Sequence, residues 1–85
     1  MYQIKYSNTA LKRLRNIPRN LAQRIQEKLT NLANNPYEYN PSVKKLVNRE
    51  GYRLRVGDWR IIYQIYDDEI VILVLDIDTR GGIYK

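Results

Sequence analysis

The chain contains no cysteine and no histidine. The first absence excludes disulfides, thiolate chemistry and cysteine-ligated zinc, and it suits a reducing compartment. The second removes the usual general base near neutral pH and the commonest metal ligand. Any catalysis therefore has to rest on tyrosine, carboxylates, lysine or fixed positive charge. Apolar runs are short: the longest, Ile70 to Leu75, falls far below the roughly 20 residues that span a bilayer. The stretch MYQIKYSNTA at the amino terminus lacks a basic-then-apolar signal pattern. Together these predict a cytoplasmic protein with no membrane partner. There is no repeat, no low-complexity tract and no linker rich in Gly or Ser. Eighty-five residues then predict one domain, 1–85, with a single modest core and an active site on its surface or in a shallow groove.

What the chain does have is positive charge. Fifteen Lys and Arg stand against nine Asp and Glu, a formal +6, which predicts attraction to polyanions, nucleic acid first and an acidic protein second. The first half has helical periodicity and the second half reads as sheet. Tyr2, Ile4 and Tyr6 alternate as in a short strand. Ser7 is an N-cap for a helix with Ala10, Leu11, Leu14 and Ile17 on one stripe. Pro18 either ends that helix or opens the next, which carries Leu21, Ile25, Leu29 and Leu32 on one face. The segment from Tyr37 to Val47 reads as a loop whose Lys44 and Lys45 are compatible with simple solvation.

Three strands follow at close spacing: Tyr52 to Val56, Trp59 to Tyr66 and Glu69 to Asp78, with turns at Gly57-Asp58 and Asp67-Asp68. The last strand is apolar on both sides and is expected to be central. The fold class is α+β: an N-terminal strand, an α-helical hairpin, then a mainly antiparallel sheet with helices packed on one face.

The stretch YRLRVGDWRIIY, Tyr52 to Tyr63, carries the functional signal. A two-residue turn at Gly57 and Asp58 sets Val56 opposite Trp59, Arg55 opposite Arg60 and Arg53 opposite Ile62. Alternation then gathers Arg53, Arg55 and Arg60 on one face while Leu54, Ile61 and Tyr63 point to the other, toward the helices. Like charges directly opposed cost up to about 1 kcal/mol, and a bound anion would relieve them. Asp58 is a candidate for partial neutralisation, and long arginine stems can also lie along apolar surface with their heads in water.

The strand and helix order, together with KKLVNREGYRLRVGDWRIIYQIYDDEIVILVLDIDTRGGIYK, resembles the RelE/ParE superfamily of toxins from type II toxin-antitoxin systems, most closely its RelE-like branch. The resemblance spans nearly the whole chain, and its most specific part pairs the arginine hairpin with a terminal R-x-x-x-Y. It implies a ribosome-dependent mRNA endonuclease that acts in the decoding site, has the ribosome and mRNA as partners, and is silenced by a cognate antitoxin. The site residues it implies are Arg53, Arg55, Arg60, Arg80 and Tyr84 as catalytic, and Lys45 as RNA-binding. No cofactor and no metal are expected. Arginines stand at 53 and 55 where the family often has lysine, and Thr79 where it often has histidine. Guanidinium groups keep the charge stabilisation but hardly accept a proton at pH 7.

The implied chemistry is in-line attack of a 2′-hydroxyl on the neighbouring phosphorus, giving a 2′,3′-cyclic phosphate and a 5′-hydroxyl. Arginines suit the tasks of gripping the phosphate and stabilising its extra charge. Tyr84 suits stacking and orientation, with a base role conceivable beside arginines that favour its phenolate. Two alternatives remain open: a ParE-like inhibitor of DNA gyrase, and a non-catalytic RNA-binding or degenerate toxin.

Overall fold

The computed structural model describes residues 1–79. The element order is β1 (Gln3–Tyr6), α1 (Asn8–Asn16), α2 (Arg19–Asn34), β2 (Val43–Lys45), β3 (Tyr52–Val56), β4 (Trp59–Tyr66) and β5 (Val71–Thr79). The five strands form one sheet in the order β1-β5-β4-β3-β2. Among the described strands only the β1–β5 pair is parallel. Among the described residues no helix is long and apolar enough to cross a membrane.

Each helix begins where its sequence dictates. The Ser7 hydroxyl accepts the Ala10 amide at 3.0 Å, satisfying one of the free donors of the first turn of α1. It also donates to the Leu75 carbonyl at 2.7 Å, so the same side chain fixes where α1 leaves the sheet. Pro18 caps α2 from outside, and its carbonyl accepts the Ala22 amide at 2.9 Å. The apolar stripes face the sheet: Ala10, Leu14, Ile25, Leu29, Leu32 and Ala33 pack with Leu54, Val56, Ile61, Tyr63, Ile72, Val74 and Ile77 in one core. Tyr52 stacks on Tyr63 within that layer, with ring centroids 5.5 Å apart.

Three details differ from the sequence expectations. β4 occupies the middle of the sheet, and β5 lies between it and β1. Apolar character on both faces reports an interior strand, which β5 is, and does not rank interior strands among themselves. The turn between β4 and β5 takes four residues, Asp67 to Ile70, with the Ile70 amide bonded to the Asp67 carbonyl at 3.2 Å and Ile70 at φ 55. The segment expected as a loop contains β2, which pairs with β3 as Val43↔Leu54, Lys44↔Arg53 and Lys45↔Tyr52. Three residues are too few for alternation to show.

A carboxylate ties the opposite end together. Asp67 Oδ1 accepts the Tyr2 hydroxyl at 2.8 Å, and Tyr37 donates to both oxygens at 2.8 and 2.7 Å. These bonds join the start of β1 and the loop after α2 to the β4–β5 turn.

Candidate nucleic-acid interface

The β3–β4 hairpin has the register read from its sequence: Val56↔Trp59, Arg55↔Arg60, Leu54↔Ile61 and Arg53↔Ile62. Gly57 supplies the positive φ, 60, that the first turn position of a type II′ hairpin requires. Leu54 and Ile61 belong to the core under the helices. Alternation therefore sends Arg53, Arg55 and Arg60 to the other face. Arg55 is exposed, Arg53 is half-buried, and Arg60 is only 7% exposed. Among the described residues the Arg60 Nε is buried without a hydrogen-bond partner. A buried donor left in this state is costly, and an anion reaching the face would satisfy it.

The sequence reading missed the acids beside this cluster. Across the β4–β5 ladder Asp78 stands opposite Arg60 and Asp76 opposite Ile62. The two carboxylates also reach α1: Arg13 Nε lies 3.0 Å from Asp76 Oδ1, and Arg13 Nη1 lies 2.9 Å from Asp78 Oδ2. β1 pairs with β5 only as far as Tyr6↔Val74, so among the described residues no strand covers that edge of β5 beyond it and Arg13 can approach from the helix. Each carboxylate also accepts the next backbone amide, Ile77 to Asp76 and Thr79 to Asp78, both at 2.8 Å. Alternation in the sequence DID would have revealed these acids once the β4–β5 register was known. Asp58, by contrast, lies exposed in the turn and forms no ion pair among the described residues.

The lysines divide. Lys44 stands opposite Arg53 on the arginine face, whereas Lys45 stands opposite Tyr52, whose ring packs on the core. Both nevertheless line a cavity of about 350 Å³ together with Leu46, Val47, Arg49, Arg53 and Ile62. Ile62, 1% exposed, lies outside the main core cluster. Gly51 fixes the loop that brings Arg49 there. The Leu46 amide bonds to the Gly51 carbonyl at 3.0 Å, and a Cβ on Gly51 would lie 2.7 Å from the Tyr63 carbonyl oxygen, at φ +115. Only glycine allows that approach.

Arg80 and Tyr84 lie outside the described residues. Of the described tyrosines near the hairpin, Tyr63 is held in its neutral form by burial, which pushes its pKa far up. It is no proton acceptor. Arranged in this way, the face can grip phosphate oxygens through paired donors and stabilise added negative charge, with no neutral imidazole to move protons.

The comparisons with known proteins agree with this architecture. The sequence model of the family described as "ParE toxin of type II toxin-antitoxin system, parDE" matches residues 4–84. A Putative RelE-like toxin protein of Escherichia coli is 25% identical over 79 residues, covering 93% of this chain and 83% of that protein. Putative toxin RelE1 of Methanocaldococcus jannaschii is 28% identical over 86 residues, covering 99% and 96%. Among solved structures, the archaeal RelE-RelB complex from Pyrococcus horikoshii OT3 contains a chain that is 30% identical and superposes with a TM-score of 0.80 over 94% of this chain and 96% of its own. The chain thus belongs to the ParE toxin family of type II toxin-antitoxin systems and, within the wider RelE/ParE superfamily, to the RelE-like branch.

Proposed function

We propose that the arginine face is the RNA-cleaving site of a metal-independent, ribosome-dependent mRNA endonuclease acting in the cytoplasm. The observation that carries this reading is the direct opposition of Arg55 and Arg60, with Arg53 two residues along, on the side of the sheet the helices leave uncovered. In the proposed reaction Arg55 and Arg60 bind the scissile phosphate and stabilise the charge added when the 2′-hydroxyl attacks, while Arg53 holds the strand in line. Arg80 and Tyr84 are assigned to the same site from their positions in the family pattern, Arg80 as a further phosphate ligand and Tyr84 as the stacking and orienting group. Guanidinium charge takes the place a metal would otherwise fill. Lys45 is assigned to RNA binding beside the cavity.

A cognate antitoxin is proposed as the partner that silences the site. The Pyrococcus horikoshii relative was solved in complex with RelB, and the charge of +6 suits an acidic binding segment.

The test is cleavage of mRNA on translating ribosomes by folded Arg60→Ala and Tyr84→Phe variants. Arg60→Ala should cut roughly a hundredfold more slowly than the parent, the usual scale for losing one group that stabilises a developing oxyanion, and Tyr84→Phe, which keeps the ring but loses the orienting hydroxyl, should also cut more slowly. Parent-like cutting by both would sink the reading. The ParE name of the matching family favours a second reading, inhibition of DNA gyrase without nuclease chemistry. Loss of supercoiling activity on adding the protein to gyrase, with mRNA intact, would select it.

A further inference from the structure

Arg53 and Arg55 lie on one face of β3 two residues apart, a separation of about 7 Å. Each stands opposite another cation: Arg53 opposite Lys44, and Arg55 opposite Arg60. Two like-charged pairs in succession along one strand are unfavourable in isolation. Their surroundings differ. Next to the Arg55–Arg60 pair, Asp78 stands opposite Arg60 on β5, its carboxylate 2.9 Å from Arg13. The Lys44–Arg53 pair opens on the cavity of about 350 Å³, where Lys45 and Arg49 add two more cations and, among the described residues, none of the lining is acidic. Its other walls, Leu46, Val47 and Ile62, are apolar. Glycine at position 51 holds the Arg49 loop against β4, so this charge is anchored at the cavity.

We propose that Lys44 and Arg49, with Arg53, form a second phosphate site that binds the phosphodiester next to the scissile one in single-stranded RNA. This rests on the reading of the arginine face given above. The separation of the two pairs along β3 is close to that of successive phosphates in an extended strand, so RNA would run along β3 with one phosphate on each pair. The apolar walls would meet the sugar or base between them. Arg55 and Arg60 then act on the reacting phosphate, and Lys44 and Arg49 set its register.

The experiment measures binding of a short 2′-O-methyl oligoribonucleotide, which cannot be cleaved, to the full chain over a range of salt concentrations. Lys44 and Arg49 are exposed, so the Lys44→Ala/Arg49→Ala double variant should fold, and a matching thermal transition checks this. Its affinity should fall roughly tenfold or more, as expected when charge-assisted hydrogen bonds are removed. The slope of log affinity against log salt should shrink by about 0.7 for each phosphate the variant no longer neutralises. Replacing single linkages of the oligonucleotide by neutral methylphosphonates should reveal one linkage whose neutralisation weakens the parent but not the variant. Parent-like affinity and salt slope in the variant would overturn the second site alone. Failure of the parent to bind any such oligonucleotide would also overturn the second site, whereas the RNA reading itself stands or falls by cleavage on translating ribosomes.

Discussion

Replacing Gly51 by alanine tests how firmly the Arg49 loop is fastened to the sheet. The residue sits at φ +115, and an added Cβ would meet the Tyr63 carbonyl oxygen at 2.7 Å and the Gln64 Cγ at 3.2 Å. Gln64 can give way, but the Tyr63 carbonyl is backbone in the middle strand of the sheet and cannot. The backbone conformation alone costs an alanine about 1–3 kcal/mol, and relieving the close approach adds a comparable amount, as overpacking does. Together a loss of about 2–6 kcal/mol is expected, a large share of the stability of a small domain. Gly57 is the control: it has φ +60, but no atom of the described residues lies within 4 Å of its Cβ position, so Gly57→Ala should lose only the conformational part. Urea unfolding of both variants reads the difference. With a slope of about 1 kcal/mol/M for a protein this small, the Gly51→Ala midpoint should fall by about 2 M or more, well beyond that of Gly57→Ala. Equal losses would refute the close approach, and a Gly51→Ala loss under about 0.5 kcal/mol would refute the strained backbone as well.

Two further outcomes follow from the tyrosines. Hydrogen bonds from Tyr37, then Tyr2, hold the Asp67 carboxyl below its ordinary value, so the stability they contribute is present above the unfolded carboxyl pKa of about 3.9 and is lost as pH falls through the lower folded value. The melting-temperature gap between the parent and Tyr2→Phe/Tyr37→Phe should therefore narrow on acidification below about pH 4, and a gap that persists to the acid limit would contradict this. The Tyr63 hydroxyl is buried without a hydrogen-bond partner among the described residues, so Tyr63→Phe should stabilise by about 1 kcal/mol, a shift that urea unfolding reads directly; destabilisation of that size would show that the hydroxyl has a partner.

The arginine register was legible because a Gly-Asp turn of two residues leaves a single way to pair Arg55 with Arg60. The helices were legible from their stripes and from Ser7. Less visible were features that depend on which strand lies beside which. Asp76 and Asp78 are unremarkable in sequence and become neighbours of Ile62 and Arg60 only once β5 is laid against β4. Lys44 and Lys45 look equivalent until β2 forms, when pairing with Arg53 and Tyr52 separates them. Arg49 is one cation in a polar loop by sequence, and the conformation of Gly51 places it at the cavity. Arg80 and Tyr84 rest on the family pattern and lie outside the described residues.

The margins of the sheet carry one more consequence. Among the described residues its outermost strands are β1, four residues with Lys5 in the middle, which leaves β5 uncovered past Val74, and β2, three residues with Lys44 and Lys45. Margins this short and this cationic offer an incoming β-strand few amides and carbonyls and repel a second copy of themselves, which discourages fibre-like stacking of the protein on itself. A protein partner would consequently gain little from extending the ladder at these two strands and would draw affinity there from side-chain complementarity across the faces of the domain.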